Sequence, residues 1–174
     1  VIMRSWIVES TAFMMGGAFE VRVSDLTVTD GSVIDGSSSG RGGGTFTLTN
    51  SVANLIGSRI CHSTTDESGS IAFLKVQARM NIVDCSVYSS AGNGAASAGG
   101  VLYMEHGVAS VTKSRFLVCS ATFGGFACIT SSAGDETSVV INESDLSRFE
   151  SRSMGGAFYI PSGYVMLSST RISE

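Results

Sequence analysis

Apolar and polar residues alternate along much of this chain with a period of two, and the alternation itself recurs about every 27 residues. A landmark formed by a small or polar residue, any residue and then an apolar one ends at Ile7, Val33, Ile60, Val87, Phe116, Leu146 and Ile172. Five positions before each landmark stand Ile2, Val28, Leu55, Ile82, Val111, Ile141 and Leu167, so every unit carries a branched aliphatic there. Two positions before each landmark stand Ser5, Gly31, Ser58, Cys85, Ser114, Ser144 and Thr170, small groups where a strand must bend. Between landmarks lie small pairs at Gly16-Gly17, Gly43-Gly44, Gly69-Ser70, Gly99-Gly100, Gly124-Gly125 and Gly155-Gly156. Four residues after each pair come Val21, Leu48, Leu74, Met104, Ile129 and Ile160.

Columns of equivalent residues at a fixed spacing are what a core of stacked side-chain layers requires. The expected fold is therefore all-β: a right-handed parallel β-helix of about six coils, with about three short strands per coil. At about 4.8 Å between coils the rod would be on the order of 30 Å long. Extra length falls at turn-rich segments, a loop insertion at Ser132-Ala133-Gly134-Asp135-Glu136 and a flexible stretch from Ser89 to Gly94. Helical repeats would need Ala, Leu, Glu and Lys at a 3.6-residue period, whereas Ser, Thr, Gly, Val and Ile dominate here. A propeller blade of four strands needs about 40 residues and does not fit the repeat.

Composition sharpens this picture. The 174 residues are 43% hydrophobic and 15% charged, with 21 glycines and one proline, which rules out disorder, and glycine lacks the three-residue period of collagen. No apolar run approaches the roughly 20 residues of a membrane-spanning helix, so no membrane span is expected in this segment. With net charge −4 and 11 scattered Lys and Arg, the chain has no nucleic-acid footprint. Cys61, Cys85, Cys119 and Cys128 fit no metal-ligand spacing and fall in different columns, so no metal, no cofactor and free buried thiols are expected. The chain opens six residues before a landmark and stops two after one, which points to a single β-helix domain over 1–174 that is part of a longer repeat protein.

The strings Met154-Gly155-Gly156-Ala157-Phe158-Tyr159-Ile160, Met15-Gly16-Gly17-Ala18-Phe19-Glu20-Val21 and Gly99-Gly100-Val101-Leu102 resemble the GGAI-type repeats of chlamydial polymorphic outer-membrane proteins. The resemblance runs over the whole chain at the level of the coil and implies a pectin-lyase-like β-helix serving as a surface-exposed, adhesin-like passenger. The companion FxxN element departs from the family. Its matching stretches, Trp6 to Glu9, Phe116 to Cys119 and Leu146 to Phe149, do not end in Asn.

Candidate chemistry is sparse. The column three before each landmark reads Arg4, Asp30, Gly57, Asp84, Lys113, Glu143 and Ser169, so no two neighbouring coils pair carboxylates for acid and base work. Asp35 and His62 fall on adjacent coils and could hydrogen-bond, although two solvated turn residues would look the same. Three after the small pairs stand Glu20, Thr47, Phe73, Tyr103, Cys128 and Tyr159. Strand alternation turns this column outward, which makes Phe73, Tyr103, Cys128 and Tyr159 the expected binding stripe, suited to sugar rings or a partner surface, unless the corner distorts and a loop covers them. The resulting expectation is a non-enzymatic structural or adhesive β-helix, extracellular or at a cell surface, in a surface protein or filamentous assembly. It would bind protein partners, neighbouring copies of the repeat or glycans through its lateral faces or ends. The alternative is a carbohydrate-active β-helix, a polysaccharide lyase or glycoside hydrolase.

Overall fold

A computed structural model describes residues 1–131 and 136–173. Every regular element among them is a strand, all strand pairs are parallel, and the strands stack into a β-solenoid of three long sheets. Sheet 1 has seven rungs, Ile2–Met3, Asp25–Thr29, Val52–Ile56, Ala78–Val83, Gly107–Thr112, Ser138–Asn142 and Tyr164–Ser168. Sheet 2 carries the landmarks, from Trp6–Val8 to Arg171–Ser173. Sheet 3 has six rungs, from Phe19–Arg22 to Phe158–Tyr159. The expected insertion at 132–136 lies outside the described residues except for Glu136.

The branched-aliphatic column is in register as expected: Ile2 pairs Val28, Val28 pairs Leu55, and the series runs on through Ile82, Val111 and Ile141 to Leu167. Its inner members Val28, Leu55, Ile82, Val111 and Ile141 are all fully buried. From sheet 3 they meet Phe46, Leu48, Leu74, Leu102, Met104 and Ile129, also fully buried. Burying each such side chain contributes about 1.5–3 kcal/mol. Stacking supplies this core because every layer sits on a like layer. On the first and last rungs, which have a neighbour on one side only, Trp6, Phe13, Tyr164 and Leu167 stand exposed.

Two expectations need correction, and sheet 2 has an arm that the repeat pattern did not show. The landmark of the second coil is Ile34, not Val33, because Ile34 pairs with both Ile7 and Ile60. The cause is one extra corner residue: Asp30 and Gly31 are both left-handed, at φ 58° and 72°, where other coils use one such residue. The small residue before that landmark is accordingly Ser32 rather than Gly31. Sheet 2 runs on past its landmark. After a left-handed residue two positions on it continues in a second arm, Thr11–Ala12, Ser38–Ser39 and Thr64–Thr65, which fuses into continuous strands in later coils. Lastly, the stretch expected to be flexible from Ser89 is part of the strand Ser86–Gly92, and Asn93 N donates to Thr65 O at 2.8 Å.

One device recurs at the corners. Arg4, Asp84, Lys113, Glu143 and Ser169, between sheets 1 and 2, are left-handed, a conformation costing an L residue roughly 1–2 kcal/mol. The next residue in each case has a hydroxyl or thiol that donates back across the bend to the carbonyl two residues earlier. Ser114 Oγ reaches Thr112 O at 2.8 Å, Ser144 Oγ reaches Asn142 O at 2.8 Å, and Cys85 Sγ reaches Val83 O at 3.2 Å. These groups also link coils: Ser114 N donates to Ser144 Oγ at 3.1 Å, and Cys85 N to Ser114 Oγ at 3.1 Å. The small column read from the sequence is thus a ladder of hydroxyls that satisfies buried backbone groups along the rod.

Candidate functional site

The expected aromatic stripe is in register. Phe73 pairs Tyr103, Tyr103 pairs Cys128, and Cys128 pairs Tyr159 on neighbouring rungs of sheet 3. It is not an open surface, however. Phe73 is 5% exposed and Cys128 2%, while Tyr103 and Tyr159 are half-buried. The segments just before the glycine pairs run over the outside of sheet 3, joined by single bridges from Met15 through Gly42, Ser68 and Ala98 to Phe123. Gly42 lies so close to the Phe73 ring that a Cβ there would collide with it. Lys75 Nζ sits 4.2 Å from the centre of the same ring, and Phe123 packs on Tyr159 with ring centres 5.4 Å apart. Tyr103 Oη accepts from Thr130 Oγ1 at 3.2 Å, and burial pushes its pKa up. Two of the four stripe residues are thus covered and the other two half-buried, so the stripe is not a continuous open face.

Asp35 and His62 do meet: His62 Nδ1 and Asp35 Oδ1 are 2.8 Å apart on adjacent coils, both well exposed. Beside them on the outer face of sheet 2, Arg59 Nε donates to Cys61 Sγ at 3.2 Å, and the guanidinium lies 5.2 Å from the centre of the Tyr88 ring. Asp35, Cys61 and Tyr88 are direct rung neighbours, which explains how residues far apart in sequence come together. No group of three or more His, Cys, Asp or Glu residues suited to a metal occurs among the described residues.

All four cysteines are free and buried, in agreement with the sequence reading. Burial pushes the Cys119 thiol up to about 12 and Cys128 up to about 11, from an ordinary value of 9.0. Between pH 9 and 12 the unfolded chain ionises Cys119 while the folded chain keeps it protonated. The folded state then binds more protons, and stability falls as pH rises. From Cys119 alone the expected loss is about 1.4 kcal/mol per pH unit in that window and nothing below it. Urea unfolding at pH 8, 9 and 10.5 checks this, since Cys119→Ala should flatten the slope above pH 9. Equal slopes for the two proteins would refute the assignment.

The sequence reading passed over the outer face of sheet 1. Three of its columns point outward, led by Asp25, Thr27 and Thr29, and successive rungs add Val52, Asn54 and Ile56, then Arg79, Asn81 and Val83. Further rungs add Val108, Ser110 and Thr112, then Val140 and Asn142, while Ser138 in the first column is covered, 3% exposed. Among the described residues of these columns only Asp25 and Arg79 carry charge; the rest is Thr, Asn, Ser and apolar residues. Asn81 Nδ2 donates to Asn54 Oδ1 at 2.8 Å, joining two rungs from outside. The signal was present in the sequence as the positions flanking the branched-aliphatic column, which are small, polar and nearly uncharged. The possible glycosylation acceptor Asn142-Glu143-Ser144 lies on this face, but Ser144 is 5% exposed and its hydroxyl belongs to the corner ladder.

Beside this face, where the corner serines Ser24 and Ser51 give way to Ala78 and Gly107, a cavity of about 530 Å³ opens. Gln77, Arg79, His106 and Glu136 line it, placing opposite charges at its rim. Comparison with family models, with curated proteins and with solved structures found no match for this chain.

Proposed function

We propose that the chain is a structural or adhesive β-helix segment whose lateral faces hold protein partners, neighbouring copies of the repeat or glycans, at a cell surface or in a filamentous assembly. The outer face of sheet 1 carries this reading. Ordinary surfaces are about 25–35% charged, and the centres of interfaces are depleted in charge. A seven-rung ribbon with two charged side chains fits the second description. Its rungs extend along the rod and suit an extended partner, and the likeness of its glycine-pair repeats to chlamydial surface adhesins supports an extracellular setting.

Lysine at Asn81 and Ser110, in the middle of the ribbon, should lower binding of the purified chain to glycan arrays and host-cell surfaces at least tenfold. Lysine at Ser86, outside the ribbon on sheet 2, should not. Equal effects from both faces would sink the reading.

The Asp35–His62 contact favours a second reading, general acid and base work on a polysaccharide. Release of reducing ends from polysaccharides, lost in Asp35→Asn, would establish it in place of the first.

A further inference from the structure

We infer that the outer face of sheet 1 docks on a second copy of itself, with the two rods antiparallel and related by a two-fold axis along the strand Val52–Ile56. The inference rests on the reading of this face as a binding surface and names its occupant.

The charges carry the argument. Asp25 and Arg79 stand in one outward column with Val52 between them, two rungs apart and therefore about 9.6 Å from each other. Their side chains are exposed, and neither has an ion-pair partner among the described residues. Rotation by 180° about an axis along the Val52 strand keeps each column in place and reverses the order of the rungs. Asp25 then faces Arg79 of the second copy, and Arg79 faces Asp25 of the second copy. The two charges of these columns among the described residues become two ion pairs, as an isologous contact requires. The same operation sets Thr27 against Asn81, Thr29 against Val83, and Asn54 against its own equivalent on the axis. A parallel arrangement, or an axis through any other rung, leaves the charges unmatched.

Exposed ion pairs fix register more than affinity. Five overlapping rungs about 17 Å wide cover roughly 400 Å² on each copy, and a total near 800 Å² belongs to weak contacts rather than to permanent dimers. The dimer should therefore form at high local concentration, as on a crowded surface or in a bundle of rods.

Sedimentation velocity between about 10 µM and 1 mM tests this, in the concentration range of a weak interface. Wild type should pass from monomer to dimer. Asp25→Arg and Arg79→Asp should each weaken the dimer about tenfold, because each sets like charges face to face at two places. Mixing these two variants should restore association, since one then carries two cations and the other two anions at the matched positions. Asn54→Cys should form an intermolecular disulfide on mild oxidation, because its two copies meet on the axis and the native thiols are buried. Ser110→Cys, away from the axis, should not. A wild type that stays monomeric to 1 mM, or a mixture that associates no better than its components, would overturn the inference. Cross-linking through Ser110→Cys in place of Asn54→Cys would overturn the register. Monomers that still bind glycans or cells through this face would leave the proposed function standing, so the two can fail separately.

Discussion

Gly99→Val should cost more than about 4 kcal/mol, a large part of the 5–15 kcal/mol that holds a typical domain together. Gly99 is left-handed at φ 69°, and a Cβ there would run into the carbonyl oxygen of Leu102. A branched side chain suffers the conformational penalty in full. The surrounding backbone is not free to yield, because Gly99 N donates to Phe123 O at 2.8 Å and Gly100 N to Gly124 O at 3.0 Å. Gly57→Asp is the informative comparison. Gly57 is also left-handed, at φ 57°, yet a Cβ there would meet nothing within 4 Å. Asp30 and Asp84 already occupy its column in the neighbouring coils. Its cost should be about 1 kcal/mol or less. Thermal unfolding followed by circular dichroism separates the two cases, and equal losses would mean that handedness alone, not close approach, selects glycine at the pairs.

Phe126→Ala should cost about 3–5 kcal/mol, the range for removing a large buried aromatic side chain. Phe126 is fully buried, and its ring packs edge-on against Phe116 at 5.0 Å and against Phe149 and Phe158 at 5.5 Å between centres. These four rings come from two successive coils, so the truncation removes contacts between layers as well as within one. Phe126→Leu should recover more than half of the loss by refilling most of the volume. Chemical denaturation gives the magnitude. Native-state hydrogen exchange should place the weakened protection around coils 115–158 and leave the strand Val52–Ile56 unchanged, because stacked repeats couple mainly to their neighbours.

Much of this architecture was legible because a solenoid writes its core into the sequence as columns. The series from Ile2 to Leu167 was placed correctly in every coil, since a residue facing the core in one layer needs a like residue above and below it. The misplaced landmark at Val33 has a local cause: the pattern that ends in an apolar residue fits Gly31-Ser32-Val33 as well as Ser32-Val33-Ile34, and only the extra left-handed residue at Asp30–Gly31 decides between them.

The partial cover of the aromatic stripe was less legible, for a different reason. Alternation tells which way Phe73 points from its strand, but not what another segment lays over it. A trace of the cover was nonetheless present at Gly42, which is small where the Phe73 ring needs room beneath it. The Asp35–His62 contact follows from their lying on adjacent coils, although the register pairs Asp35 with Cys61 and makes the contact a diagonal one. The Arg59, Cys61 and Tyr88 grouping needed the register.

The parallel ladders also dictate how such a rod carries load. Its backbone hydrogen bonds run along the long axis, so tension applied between the ends falls on one rung boundary at a time and opens it like a zipper. Each coil that peels away frees about 27 residues, or on the order of 90 Å of slack chain, while the coils behind it stay folded. The molecule would lengthen in steps under modest force and give up its stability one layer at a time, as a shock-absorbing tether does.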